Sequence, residues 1–248
     1  MISTVIRAMF VSSLKDKISL FYAVLFPLAL LIGLGLYFDT PEYRFRLLTG
    51  VVVLSSLFWS VQGIAFQVHW QRNRGVYKLL KLTPFPTVSF ILTMVLVRTA
   101  LGVAINGIVM LAGMIGFGIA MPLGGIVPFL LILTLGMLCF TAMGFLLSNL
   151  ARNEAQINMI SNLIYIPMLF GTETFYSLQH APQWIATAGN LFPLTYMVQG
   201  LRSSFAGWNG TAFYMLIVAA FTVGLLALAA LTFRWDAEQS IAQRKLPA

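Results

Sequence analysis

A chain of 248 residues that is 59% hydrophobic and only 9% charged has too few polar groups to solvate an ordinary globular surface. Its mean hydropathy of +0.89 places it among integral membrane proteins. The net charge of +8 would suit a nucleic-acid partner only if the basic residues formed a continuous soluble face. They fall instead in short segments between apolar runs, as the positive-inside rule predicts, so no nucleic-acid partner is expected. The single cysteine, Cys139, excludes a disulfide framework and a thiolate cluster, and its apolar setting makes it a small core residue.

In chain order, Ile2, Val5, Ile6, Met9, Phe10 and Leu14 recur at helical spacing, with Thr4, Arg7, Ser12, Lys15 and Lys17 on much of the other side. Residues 1–18 are therefore predicted to form an amphipathic helix at the membrane interface, the alternative being an extension packed on its own protein. Polar interruptions as far as Lys17 do not suit a cleavable signal, so the start is expected to be retained.

Six spans of about 20 residues are predicted by length and apolarity, at 20–38, 47–68, 100–119, 126–147, 157–171 and 212–233. A polar turn with Asp39, Pro41, Glu42, Arg44 and Arg46 separates the first two, and a turn with Met121, Pro122, Gly124 and Gly125 precedes the fourth. Residues 69–86 carry four basic side chains and no acidic one, so they should lie outside the hydrocarbon. Arg98 is expected at the inner boundary of the third span, its charged head reaching the headgroups. Between the fifth and sixth spans, residues 172–208 are too broken to cross comfortably and too apolar for an aqueous loop. Pro193 disfavours helix at Phe192 and starts a new one, giving a first piece with Trp184 and Ile185 and a second with Leu194, Met197, Val198 and Leu201 on one face. A re-entrant or interfacial hairpin fits this pair.

An even number of spans puts both termini on one side. Arg7, Lys15, Lys17, Arg72, Arg74, Lys78, Lys81, Arg152, Arg234, Arg244 and Lys245 then face Arg44, Arg46 and Arg202 across the membrane, and eleven against three makes the termini cytoplasmic. A seventh span through residues 184–205 would turn Arg234, Arg244 and Lys245 outward, against that pattern. With no repeat and no low-complexity linker, residues 1–248 read as one membrane domain, an all-α integral membrane protein.

Catalytic chemistry has no foothold. There is no GxxxxGK[ST] phosphate loop, no HExxH and no GxSxG, and neither His69 nor His180 has neighbouring ligands for a metal. The polar residues inside spans are more informative. Trp59, Gln62 and Phe66 share one side of the second span, and Asn158, Asn162 and Tyr165 one side of the fifth. Such side chains either line a pathway or hydrogen-bond between helices. Glu173, beside Gly171 and Thr172 at the end of the fifth span, is either a gating or cation-recognition group or an interfacial acid in water, paired with Arg202.

Gly171, Phe175, Tyr176, Pro182, Trp184, Pro193, Leu194, Thr195, Tyr196, Leu201, Arg202 and Gly207 occur in one fixed order that resembles the type-2 permease family of ATP-binding-cassette (ABC) exporters. The segment RNRGVYKLLKLTPFP resembles the same family's basic, glycine-containing Leu-Leu-x-x-Thr-Pro stretch. The resemblance implies a coupling segment within residues 69–87 that docks on a separate ATPase, with Arg72, Arg74, Gly75, Lys78, Thr83 and Pro84 in the segment. Val76, Leu79 and Leu80 would form its apolar face. The family's usual acidic residues before the glycine and three after it are Asn73 and Lys78 here, which implies a more acidic partner surface or another docking register.

By the same resemblance, two ATPase copies would hold the ATP and magnesium, leaving no cofactor in this chain. A second or homologous permease copy would complete the pathway in a bacterial inner membrane. A pathway with aromatic, Met and amide side chains but few charges suits a drug, antibiotic or other amphipathic compound, with lipid-linked polysaccharide as the alternative. An ion-gradient-driven transporter would ordinarily need intramembrane ionisable groups or two related broken halves. A membrane enzyme would need a convergent catalytic set, and neither pattern is evident.

Overall fold

The computed structural model describes residues 2–15, 17–38, 40–82, 87–178 and 182–232, and among these there are helices and turns but no strand. In order these are α1 (Ile2–Lys15), α2 (Lys17–Leu20), α3 (Phe26–Tyr37), α4 (Pro41–Leu57), α5 (Gly63–Asn73), α6 (Val76–Lys81), α7 (Thr87–Phe117), α8 (Leu123–Leu150), α9 (Glu154–Phe170), α10 (Gln183–Gly189), α11 (Pro193–Ser203) and α12 (Thr211–Thr232). Two π-helical segments, Phe21–Leu25 and Phe58–Gln62, join α2 to α3 and α4 to α5.

Among the described residues four helices are long and apolar enough to cross a membrane, Pro41–Asn73, Ser89–Phe117, Leu123–Leu150 and Thr211–Thr232. The predicted span at 20–38 corresponds to a shorter apolar helix, Phe21–Tyr37, and that at 157–171 to the 17-residue helix Glu154–Phe170. Burial ranks the long four. The most apolar window of Pro41–Asn73 is 89% buried and that of Thr211–Thr232 only 17%. The first is thus the axis of the bundle, while the second presents most of its surface outward.

Small residues allow that axis to be enclosed. A Cβ on Gly144 would lie 2.5 Å from the Val61 carbonyl oxygen, so only glycine lets α8 approach the π segment this closely. Cys139 is fully buried in the same core, as its apolar setting predicts.

Two predicted spans are longer than expected. Pro41–Asn73 has 33 residues, about 50 Å of helix, and α7 has 31, about 46 Å, so each outruns a hydrocarbon core of about 30 Å. Residues 87–99, left outside the third span by a count of about 20 residues back from Ile119, are continuous helix in α7. Helix α1 forms as predicted and splits between the two expectations. Met9 and Ser13 are buried, whereas Ile6, Phe10 and Val11 remain exposed.

Candidate functional site

Register is the first determinant of the site. In an uninterrupted α-helix Trp59, Gln62 and Phe66 share a face. The π segment adds a residue to the turn and rotates what precedes it, so Phe58 takes the place expected for Trp59. Phe58, Gln62 and Phe66 are half-buried along one edge, with Trp70 exposed one turn further, while Trp59 turns inward and is fully buried.

Helix α9 lies along that edge and meets it repeatedly. Trp70 Nε1 donates to Glu154 Oε1 at 2.6 Å, Gln62 Nε2 donates to Asn158 Oδ1 at 3.0 Å, and the Phe58 and Tyr165 rings meet edge to face with centroids 5.3 Å apart. The seam continues into the first π segment, where Tyr22 lies 5.7 Å from Phe58 and Ser55 Oγ donates to the Ala23 carbonyl at 2.7 Å. Of the predicted pathway set, Gln62, Phe66, Asn158 and Tyr165 therefore gather at one seam. Asn162 is exposed on α9, as is Asn158.

Ser161 and Tyr165 are both buried at this seam, so packing as well as the amide contact holds α9 there. Phe58 and Tyr22 were not legible as site residues, because apolar periodicity cannot register the inserted residue.

Trp59 instead holds Arg98. The guanidinium donates to the Trp59 carbonyl from Nη2 at 3.0 Å and Nε at 3.2 Å, and from Nη1 to Gln67 Oε1 at 3.1 Å, while its carbon lies 4.6 Å from the indole centroid. Trp59 Nε1 in turn donates to the Arg98 carbonyl at 3.0 Å. Arg98 is only 1% exposed, which corrects its expected reach to the headgroups. The physical reason is that the carbonyl and ring of Trp59 and the amide of Gln67 solvate the cation inside the bundle. A Cβ on Gly63 would come within 1.4 Å of Nη2, so glycine there provides the space.

At the basic end of the bundle the coupling segment is divided. Arg72 is 5% exposed and donates from Nη1 to the Ser148 carbonyl at 2.7 Å and from Nη2 to Asn149 Oδ1 at 2.8 Å. It thus caps the end of α8 with favourable charge and is the buried member of the coupling segment. Asn149 passes the link to the Ala229 carbonyl of α12 at 3.1 Å. His69 is buried beside Asn73, Nδ2 to Nε2 at 2.9 Å, in a structural pairing.

Gly75, at φ +69°, turns the chain sharply into the six-residue α6. Tyr77 is buried and its hydroxyl donates to Gln71, whereas Arg74, Lys78 and Leu79 are exposed and Val76 is half-buried. Leu80 belongs to α6, but its side chain lies outside the described residues, as do Thr83 and Pro84.

At the opposite end, α10 contains Trp184 and Ile185, and α11 begins at Pro193 as predicted. Leu194, Met197, Val198 and Leu201 are all buried, as are Pro193 and Thr195. Thr195 Oγ1 closes the pair by donating to the Gly189 carbonyl at 2.5 Å, and the half-buried Tyr196 donates to the Asn190 carbonyl at 2.9 Å. Pro182 is exposed, and Trp184 is 71% exposed at the rim.

The expected pairing of Glu173 with Arg202 is replaced by separate partners. Arg202 donates to Thr49 Oγ1 at 3.1 Å and the Thr174 carbonyl at 3.0 Å, while Glu173 accepts from the Leu178 amide at 3.1 Å. Both strap the segment after α9 down, Arg202 onto α4 and Glu173 within the loop. Burial and the nearby Arg46 lower the Arg202 pKa to about 10, so it remains a cation at neutral pH. His180 lies outside the described residues. Among the described residues no group of three or more His, Cys, Asp or Glu side chains could hold a metal ion.

Residues 2–206 match the model of a family described as ABC-2 type transporter. No curated protein matches the sequence. Since the family match takes in most of the chain, the protein belongs to the ABC-2 type transporter family and is a membrane-spanning transport component.

Proposed function

We propose that this chain is the permease subunit of an ABC exporter, with six spans, cytoplasmic termini and a re-entrant α10–α11 hairpin, and that it moves a drug, antibiotic or other amphipathic compound. Two copies, or this chain with a similar permease, enclose the pathway, and two separate ATPase subunits supply ATP hydrolysis with their own magnesium. The observation that carries this reading is the seam between the π segment with α5 and α9. Aromatic and amide groups, Tyr22, Phe58, Gln62, Phe66, Asn158 and Asn162, line or flank an edge with few fixed charges. That chemistry suits an amphipathic solute, with apolar contact from the rings and adaptable hydrogen bonds from the amides.

The basic end provides the means of coupling. Helix α6 presents Leu79, 64% exposed, beside exposed Lys78 and Arg74, an apolar contact with a basic rim. Force on α6 passes through Gly75 to α5, and from α5 to α9 through Trp70 and Glu154 and to α8 and α12 through Arg72 and Asn149. ATP-driven closure of the partner favours one access state only if these contacts differ in energy between states.

The test is affinity purification of the tagged chain in mild detergent with mass spectrometry of what stays bound, repeated with Leu79→Asp. Leu79 is exposed, so the substitution leaves the fold intact. Recovery of a phosphate-loop ATPase that is lost with Leu79→Asp is the expected result. Absence of any ATPase from the intact protein would remove the central element of this reading and direct attention to ion-coupled transport.

A further inference from the structure

At the hairpin end, a cavity of about 350 Å³ lies between the first turns of α4 and the segment that follows α9. Thr40, Glu42, Tyr43 and Arg46 line it from one side and Phe175 and Tyr176 from the other. None of these residues belongs to the α5–α9 seam. Arg46 is the chemical centre of the cavity. Its side chain is 20% exposed, and its Nη2 meets Glu42 Oε1 at 3.6 Å, too long for a hydrogen bond. Its Nη1 is buried with no hydrogen-bond partner.

The rest of the setting makes this cation available to an anion. Arg202 stands behind it, held by Thr49, whose hydroxyl donates to the Arg46 carbonyl at 3.0 Å. Glu173 is engaged with the Leu178 amide. Among the described residues Glu42 is therefore the acid that competes for the Arg46 fork, and its side chain is 87% exposed, so water already satisfies it. The start of α4 at the same cavity adds the positive end of a helix dipole. Tyr43, Phe175 and Tyr176 provide aromatic walls, the Tyr176 hydroxyl being engaged by the Phe170 carbonyl.

We infer that this cavity binds a phosphate-type anion on the Arg46 fork, displacing Glu42, with the aromatic walls receiving whatever apolar body the anion carries. A guanidinium presents two parallel donors to a tetrahedral oxyanion, which Glu42 does not engage at its present distance. The phosphate belongs either to a lipid headgroup or to a small soluble molecule. Both present the same oxygens to the Arg46 fork, and only contact of an apolar body with the aromatic walls separates them.

The test uses the full chain in neutral detergent at fixed ionic strength, titrated with inorganic phosphate alone and with monomeric dihexanoyl phosphatidylglycerol, affinity being read by calorimetry. Saturable binding is expected, weakened about tenfold by Arg46→Gln and strengthened about threefold by Glu42→Gln. Similar affinity for both probes assigns the site to the soluble anion, and a preference for the lipid assigns it to a headgroup. Absence of saturable binding by either probe, unchanged affinity in Arg46→Gln, or no gain in Glu42→Gln would overturn the inference. Glu42 is exposed, so its variant carries the test even if Arg46→Gln fails to fold. The outcome is independent of ATPase capture, so this inference and the permease reading fail separately.

Discussion

Trp59 and Arg98 hold one another by both backbone and side chain: the indole donates to the Arg98 carbonyl at 3.0 Å, and the guanidinium donates to the Trp59 carbonyl at 3.0 Å. The second bond depends on the π segment Phe58–Gln62, in which the ordinary helical ladder is loosened and a carbonyl can turn to a side chain. A charge in mid-bundle, costing about 3 kcal/mol to insert unpaired, thereby becomes the clasp between α7 and the central helix.

That geometry orders three substitutions. Gly63→Ala places a methyl where Nη2 now sits and leaves the cation without its seat, so it should cost about 3–5 kcal/mol. Arg98→Met removes the charge and keeps the stem, and should cost about 1–3 kcal/mol for the unpaired Gln67 and Trp59 acceptors. Arg98→Lys should fall between them, because a point charge cannot engage both acceptors as the fork does. Unfolding in mixed micelles measures the series, and an Arg98→Met variant less stable than Gly63→Ala would contradict this account.

Gln62 Nε2 and Asn158 Oδ1 are 3.0 Å apart across the seam, and the native Cys139 is fully buried. Gln62→Cys with Asn158→Cys should therefore be bridged by a short bis-methanethiosulfonate linker without interference from Cys139. If transport requires α9 to separate from α5, the linked protein should lose substrate transport by about tenfold or more, and reductant should restore it. Transport at the full rate with the link formed would exclude movement at this seam.

Arg202 ties α11 to α4 and to the segment after α9 through two hydrogen bonds. Arg202→Lys should lose one of them and about 1–2 kcal/mol of stability. Burial lowers its folded pKa to about 10 from 12.5, so the fold disfavours the charged form. The resulting penalty is constant below pH 10 and is relieved only as pH rises through the interval between those values. Between about pH 6 and 8 its contribution should be flat. A thermal-stability profile of wild type against Arg202→Lys that diverges in that range would show that another protonation state governs the contact.

Much of α11 was legible because its determinants are local. Pro193 fixes a helix start through its ring and missing amide, and Leu194, Met197, Val198 and Leu201 fall on one face whatever lies opposite, which is where they are buried. The site was legible only in outline. Gln62 and Asn158 could each be placed on one side of its own helix by periodicity, but not brought together by it, and Phe58 and Trp59 exchanged roles because a π turn adds one residue, and the apolar pattern around it reads equally well in either register.

The sequence by itself determined an all-helical membrane protein and where its main apolar runs lie, since hydrocarbon demands internally satisfied backbone and a minimum length of apolar chain. Tertiary structure decided where the cations went. Arg98 and Arg72 read as boundary or surface groups, yet both are buried, because acceptors from distant segments, Trp59 and Gln67 for one and Ser148 and Asn149 for the other, supply in the folded state the solvation that water gives an isolated helix.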